Sequence, residues 1–147
     1  MRIISREKAM KTLYLLDVLE QIDEQKGSEY WNIAYLTPQL AKIDDYLLNE
    51  KDDQVYIKNL VEGVIANKTD IDTFIAEHLK SDWTLETLGF IERAILRVGV
   101  YEVRYDESLS DTIAINSAIE LAKQFADESA YKLINAILDT AAKTKNK

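Results

Sequence analysis

The feature of this sequence that most constrains its fold is the stretch 84–105, TLETLGFIERAILRVGVYEVRY, whose apolar residues recur at helical spacing. Such spacing places them on one face of a helix, and further apolar residues widen that face. The pattern is typical of a helix that other helices surround. The apolar residues concerned are Leu88, Phe90, Ile91, Ile95, Leu96, Val98 and Val100.

The N-terminal end and the interior of this predicted central helix contain residues that indicate how it begins and how it packs. Thr84 is a suitable N-cap, because its hydroxyl can accept a hydrogen bond from a first-turn N–H. Gly89 and Gly99 lie inside the run, where each costs roughly 1 kcal/mol relative to alanine. Close approach of another helix would offset that loss, so we predict that both glycines are packing contacts. The same capping chemistry makes Ser5 and Asp127 the predicted caps of the first and last helices.

Helical spacing recurs along the rest of the chain, whereas no stretch shows the sustained alternation that a strand needs. Pro38 lies in one such segment, where it would kink or divide the helix unless it occupies the first turn. We predict an all-α fold of about seven helices joined by short turns, with a Lys-rich end that frays. The further helical segments are 5–22, 30–50, 55–67, 70–80, 111–126 and the residues after Asp127.

Length and composition limit the class of protein. The chain has 147 residues, 47% of them hydrophobic, and no long linker, so we predict a single domain over 1–147, in which two sub-bundles stay open. The absence of cysteine excludes disulfides and thiolate zinc sites. No apolar run approaches the ~20 residues of a membrane span, and charges come too early for a signal peptide. We expect a cytoplasmic protein without membrane contact.

The net charge of −8 is concentrated in one region of the chain. Residues 17–53 hold 10 acidic and 3 basic side chains, a sum of −7, which leaves −1 for all other residues. A local basic surface is therefore compatible with the acidic total.

Four cations surround the single acid Glu7 at the start of the first helix. The helix dipole favours anions at that end, so a bound phosphate would relieve the repulsion among the cations. When the cluster is considered alone, a solvated helix start is the simpler interpretation. The cations are Arg2, Arg6, Lys8 and Lys11.

The sequence offers little for catalysis. It contains no phosphate-binding motif G-x-x-x-x-G-K-[ST] and no nucleophile motif G-x-S-x-G. His78 is the single histidine, and without cysteine or a second histidine it is better explained as a surface residue than as a metal ligand. We therefore predict no catalytic residue, no metal site, no cofactor and no enzymatic activity.

Four polar residues interrupt the apolar pattern of the helices. Arg97 and Glu102 lie in the central helix, and Asn116 and Asn135 lie in the last two. An unpartnered buried charge or amide would cost several kcal/mol. We therefore predict a satisfied internal network, with a ligand pocket as the alternative.

Several segments of the sequence, taken together, resemble the NusB transcription antitermination family. They follow one another in the family's order between about residue 5 and residue 142, and the acidic region 23–53 resembles it least. These segments are LVEGVIANKTDID (60–72), W-x-x-x-x-L-x-x-I-E-R-A-I-L-R (83–97), Y-E-V (101–103), A-I-N-S-A-I-E-L-A-K-Q-F (114–125) and L-I-N-A-I-L-D (133–139).

The resemblance implies an all-α protein of two packed sub-bundles that binds the boxA element of ribosomal RNA leader transcripts as single-stranded RNA. The implied partner is NusE, a small-subunit ribosomal protein. The pair is expected to join an RNA polymerase complex that resists termination. Unpaired RNA suits a helical protein, because its bases can stack and expose their edges.

The resemblance also implies which residues contact RNA. Phe125 matches an aromatic that can stack on a base, and Lys132 a basic residue on the same edge. Ile3 and Ile4 stand where further arginines are usual. The alternatives are Phe125 as core filler and Lys132 as a solvated helix residue. The implied RNA contacts are Arg2, Arg6, Lys8, Lys11, Phe125 and Lys132.

For the NusE surface, the resemblance implies Tyr14 and Glu92. Glu92 could instead pair with Arg93 or Arg97 as a structural bridge. A different function also stays open, because the arginines are sparse and the region 17–53 is acidic. In that view the chain is a protein-interaction module or a self-associating form, such as a homodimer, with a weakened RNA surface.

Overall fold

The computed structural model describes residues 3–32 and 51–145, and this part of the chain contains helices and turns but no strand. The predicted all-α fold is confirmed. The predicted helical segment around Pro38 and the predicted RNA contact Arg2 lie outside the described residues. The described α-helices are α1 (Ile3–Ile22), α2 (Lys51–Ala66), α3 (Lys68–Glu77), α4 (Phe90–Tyr105), α5 (Asp111–Phe125) and α6 (Glu128–Thr144).

The chain divides into two compact units, one that ends at Ala66 and one that begins at Asn67. In the first unit, α1 packs against α2 and against a 3-10 turn at Gly27–Tyr30. The prediction that Ser5 caps α1 is wrong, because the helix already begins at Ile3 and Ser5 is buried inside it. The apolar core of this unit comprises Ala9, Met10, Leu13, Leu16, Tyr30, Trp31, Ile57, Leu60, Val61 and Val64.

The turn after α1 is held by two aromatic residues. The Tyr30 hydroxyl donates to Asp23 at 2.7 Å, and the Trp31 indole N–H donates to Glu20 at 2.8 Å. The bond from Tyr30, together with the backbone N–H of Lys26, lowers the pKa of Asp23 below its ordinary value. The Asp23 and Glu20 carboxylates therefore accept hydrogen bonds from the two aromatic side chains, whose apolar parts are buried.

In the second unit, α4 is the central helix. It packs against both α5 and α6, which also pack against each other, and it contacts α3. Every residue from Arg93 to Val100 is buried, as expected for a helix that others surround. Gly99 allows this close packing, because an added Cβ would lie 2.8 and 2.9 Å from the two δ-carbons of Leu138 and 3.4 Å from Ala118 Cβ. The prediction that Gly99 is a packing contact is confirmed.

The central helix begins later than the sequence predicts. The Thr84 N–H donates to Thr87 Oγ1 at 3.0 Å, and that hydroxyl donates to the Thr84 carbonyl at 2.7 Å, which closes a separate 3-10 turn. Leu88 and Gly89 are extended, with ψ of 149° and 159°, and α4 starts at Phe90 with Gly89 as its N-cap. Thr84 is therefore not the cap of the central helix, and Gly89 is exposed rather than packed.

Arg93 gives the physical reason for this late start. Its Nη1 donates to the carbonyls of Leu85 and Leu88 at 3.1 and 3.4 Å, and its guanidinium carbon lies 4.5 Å from the centre of the Phe90 ring. These bonds satisfy carbonyls that a continuous helix would have paired with its own N–H groups. The side chain thus stabilises the turn at the expense of a longer helix.

Arg97 joins α4 to α3 through an ion pair that is buried on the arginine side and partly exposed on the aspartate side. Its Nε and Nη2 donate to the two carboxylate oxygens of Asp72 at 2.8 and 3.1 Å, a bidentate arrangement. Lys68 lies 3.2 Å from the same carboxylate. The side chain of Arg97 is 4% exposed and that of Asp72 18%. The predicted internal network is confirmed for Arg97.

The other three residues of the predicted network differ in their surroundings. Glu102 is 1% exposed, and no buried side-chain polar atom of the described residues lacks a partner. Asn116 and Asn135 are exposed, so their predicted burial is wrong. Each lies on a face of its helix that is turned to solvent, where an amide needs no protein partner.

The end of the second unit is tied down rather than frayed at Lys145. Its ammonium donates to the Val103 carbonyl at 3.3 Å and to the Asp111 carboxylate at 2.5 Å. The Val103 carbonyl belongs to the last turn of α4, where helical N–H partners run out and a cation is favourable. The predicted fraying is therefore wrong for this residue.

Asp127 caps α6, as predicted. Its Oδ1 accepts from the Ala130 N–H at 2.8 Å and from the Ser129 hydroxyl at 2.8 Å, which lowers its pKa below the ordinary 3.8. Such a carboxylate stabilises the fold above its unfolded pKa, and this contribution is lost as the pH falls through the lowered folded pKa.

We expect Asp127→Ala to melt at a lower temperature than the parent chain at pH 7, and the difference in melting temperature to vanish in stronger acid. Asp127→Asn, which keeps a capping oxygen, is the control.

Candidate nucleic-acid interface

Two of the three described cations of the predicted α1 cluster are buried. Arg6 and Lys8 are 5% and 7% exposed, and the Arg6 guanidinium carbon lies 5.8 Å from the centre of the Tyr56 ring on α2. The side chain of Lys11 is 54% exposed and pairs with Glu7 at 2.9 Å. A solvated helix start therefore describes Lys11 but is wrong for Arg6 and Lys8. Of the described cations in the cluster, Lys11 has the most exposed side chain.

Phe125 and Lys132 lie on either side of the junction between α5 and α6. Phe125 is the last residue of α5 and is half-buried, so it is not a fully sealed core residue. The side chain of Lys132 is 68% exposed and lies 3.6 Å from Glu128. An exposed pair of this kind is weak, at about 0–1 kcal/mol, so a phosphate can replace the carboxylate.

Two further residues at this junction were not predicted from the sequence. The side chain of Lys123 is 56% exposed, and its ammonium lies 6.0 Å from the centre of the half-buried Tyr131 ring. Their sequence signal is the interleaving of cations with aromatics across the end of one helix and the start of the next. We name Lys123, Phe125, Tyr131 and Lys132 the junction surface.

Tyr14 and Glu92, the predicted partner contacts, are both half-buried and lie in different units. Glu92 is in the first turn of α4, where the helix dipole favours a carboxylate. The two arginines weighed as its structural partners bind other groups: Arg93 donates to carbonyls of the preceding turn, and Arg97 donates to Asp72.

His78 is exposed, as predicted. Its ring centre lies 4.3 Å from that of Phe74, and its Nδ1 lies 2.8 Å from the Phe74 carbonyl. Phe74 also contacts Arg104, whose guanidinium carbon lies 4.5 Å from the ring centre. Within residues 3–32 and 51–145, no group of three or more potential metal-binding side chains occurs.

These features describe an all-α protein in which cations and aromatics flank the junction between two helices of its second unit. None of its described helices combines the length and the apolar character that crossing a membrane requires. The model of the NusB family matches residues 4–143. The chain belongs to the NusB family.

Relatives agree with this assignment over nearly the whole chain. The transcription antitermination protein NusB of Bacillus cereus strain B4264 is 34% identical over 140 residues, which is 95% of either chain. Among solved structures, T. maritima NusB superposes with a TM-score of 0.78 at 25% identity and covers 98% of this chain and 92% of its own. A crystal structure of antitermination factors NusB and NusE in complex with dsRNA gives a TM-score of 0.77 at 27% identity. The match covers 97% of this chain and 96% of that chain.

Proposed function

We propose that this chain is a transcription antitermination factor that binds boxA-type single-stranded leader RNA together with the ribosomal protein NusE. The observation that carries this proposal is the identity of 34% to a transcription antitermination protein, spread over 95% of both chains. A relative solved with NusE and RNA supports both classes of partner. The assembly would act on RNA polymerase and therefore in the cytoplasm.

The junction surface is the proposed RNA contact within the second unit. Stacking of one base on Phe125 contributes roughly 1–3 kcal/mol, and it requires an unpaired base. The exposed ammonium groups of Lys123 and Lys132 suit phosphates on either side of that base. Because the relative was solved with double-stranded RNA, the test compares unpaired RNA with a duplex of the same sequence.

The proposed contribution of α1 is small. Arg6 and Lys8 expose little surface, whereas the side chain of Lys11 is more exposed and is the proposed phosphate contact on α1. With so few open cations we expect weak RNA binding by this chain alone and tighter binding when NusE is present. Tyr14 and Glu92 are the proposed contacts to NusE.

A titration of labelled RNA tests the proposal. When NusE is present, we expect boxA-type RNA to bind more tightly than a scrambled strand or a duplex. The logarithm of its binding constant should fall by about 0.7 per phosphate contact for each tenfold increase in salt. Equal affinities for the boxA and scrambled strands in the presence of NusE would contradict the proposal.

Charge reversal on α6 gives a prediction with a matched control. Lys132→Glu should lower RNA affinity and reduce the salt slope by about 0.7, because one phosphate contact is lost. Lys143→Glu makes the same charge change on the same helix, where Lys143 is 74% exposed and pairs with Asp139 at 2.9 Å. If both variants weaken RNA binding equally, only the net charge matters and Lys132 is not a specific contact.

The second candidate function is a self-associating or protein-interaction module. Ile3 and Ile4, which stand in place of family arginines, are 57% and 53% exposed, an apolar start that favours protein contact over phosphate contact. Sedimentation of the free chain distinguishes the candidates. A stable homodimer that Ile3→Arg with Ile4→Arg dissolves, without RNA binding by either form, would favour this second function.

A further inference from the structure

The backbone at Gly89 does not require glycine. Its φ of −68° and ψ of 159° describe an extended residue, a conformation open to any L-amino acid. Gly89 is also exposed, so it does not serve close packing of helices as Gly99 does. A different physical reason must account for the missing side chain.

The space that a side chain would take at position 89 holds the carboxylate of Glu92. The heavy atoms nearest to an ideal Cβ are Glu92 Oε2, at a separation that no Cβ tolerates, Cδ at 3.1 Å and Oε1 at 3.5 Å. Glu92 is three residues into the helix from its N-cap, the position from which a glutamate folds back over the helix start. Glycine thus makes room for this folded rotamer.

We propose that Gly89 is a positioning residue, whose bare Cα lets the Glu92 carboxylate lie over the start of α4 in the orientation that meets NusE. The inference rests on the proposed function, since it takes Glu92 as a partner contact. A carboxylate already held by the helix dipole loses less rotamer freedom when a hydrogen-bond donor of the partner meets it.

The turn before α4 makes this arrangement rigid on the glycine side. Arg93 donates to the carbonyls of Leu85 and Leu88, which fixes the backbone immediately before Gly89. When a side chain is added at 89, this anchored backbone is more costly to move than the end of a flexible side chain. The free end of the Glu92 side chain must move instead, so the substitution displaces one defined carboxylate.

Two substitutions separate this role from stability. Serine is a better N-cap than glycine and alanine a worse one, so Gly89→Ser should melt at or above the parent chain and Gly89→Ala below it. Both add the same Cβ, and both should lower the affinity for NusE by about 2–12-fold, the equivalent of freeing one immobilised side chain. If Gly89→Ala alone lost affinity for NusE, the affinity would follow the melting temperature, and the proposal would be overturned.

The coupling to Glu92 completes the test, with NusE titrated into the full chain. Glu92→Ala should weaken binding, and Gly89→Ser should have no further effect in that background. An equal loss from Gly89→Ser with and without Glu92 would overturn the proposal, since Gly89 would then act through another group. If Glu92→Ala binds NusE normally, both this proposal and the assignment of Glu92 as a partner contact fail, while the RNA titration still judges the proposed function.

Discussion

Replacement of Arg97 by alanine is expected to cause the largest loss of stability of any single change considered for this chain. The substitution removes both guanidinium bonds to Asp72 and leaves that carboxylate with Lys68 as its remaining cation in the described ion pairs. Breaking a fully buried ion pair by removing one partner costs about 3–5 kcal/mol. Because Asp72 is 18% exposed and keeps Lys68, we expect a loss of about 1.5–3 kcal/mol, the range for hydrogen bonds to charged groups. Urea unfolding of the variant and the parent chain measures the loss.

A double substitution serves as the control for Arg97→Ala. Arg97→Met with Asp72→Leu replaces the pair by apolar groups of similar size, which is often neutral or stabilising. We expect this variant to recover most of the lost free energy of unfolding. A loss below about 1 kcal/mol for Arg97→Ala would show that the pair behaves as a surface salt bridge.

Replacement of Phe125 by alanine is expected to have the largest effect on RNA binding. If Phe125 stacks on a base, its loss costs roughly 1–3 kcal/mol, which is a decrease in RNA affinity of about 5- to 150-fold. The measurement is the affinity for boxA-type RNA in the presence of NusE. Phe125→Trp keeps a stacking ring and should bind close to the parent chain.

A second aromatic provides the matched control for Phe125→Ala. Tyr105 also ends a helix, is 37% exposed and lies with its ring centre 5.6 Å from that of Tyr101. Tyr105→Ala should leave RNA affinity unchanged. Since Phe125 is half-buried, its variant must also be shown to be folded. Unchanged RNA binding by a folded Phe125→Ala would support core filling as the role of this ring.

The fold was predictable from the sequence where it depends on local periodicity. The apolar stripe of α4 and the bare backbone at Gly99 are both visible in the residue pattern. In the structure α5 and α6 pack against α4, and they contact it at Gly99. The start of α4 was not predictable, because it depends on Arg93 reaching back to the carbonyls of Leu85 and Leu88. Periodicity does not record a bond from a side chain to distant backbone.

The surroundings of polar residues were predictable only in part. Arg97 is paired inside the protein as expected, but its partner Asp72 could not be identified before α3 and α4 were placed together. Asn116 and Asn135 were expected inside and lie outside, because a helix of small residues such as alanine leaves the position of its solvent face ambiguous. Apolar neighbours in sequence do not by themselves bury an amide.

The candidate site depended on both kinds of information. Phe125 and Lys132 were identified by their match to family positions, since neither would be chosen from periodicity alone. Lys123 and Tyr131 required the structure, which brings the end of α5 and the start of α6 together. The burial of Arg6 could also be seen only in the structure, because a cation at a helix start is ordinarily expected to be solvated.

Transcription through a terminator tests the central claim most directly. The measurement compares read-through by RNA polymerase on templates with a boxA-type leader or a scrambled leader, in the presence of NusE, with and without this chain. We predict that adding the chain raises read-through on the boxA template alone. Read-through that stays unchanged, or rises equally on both templates, would contradict it.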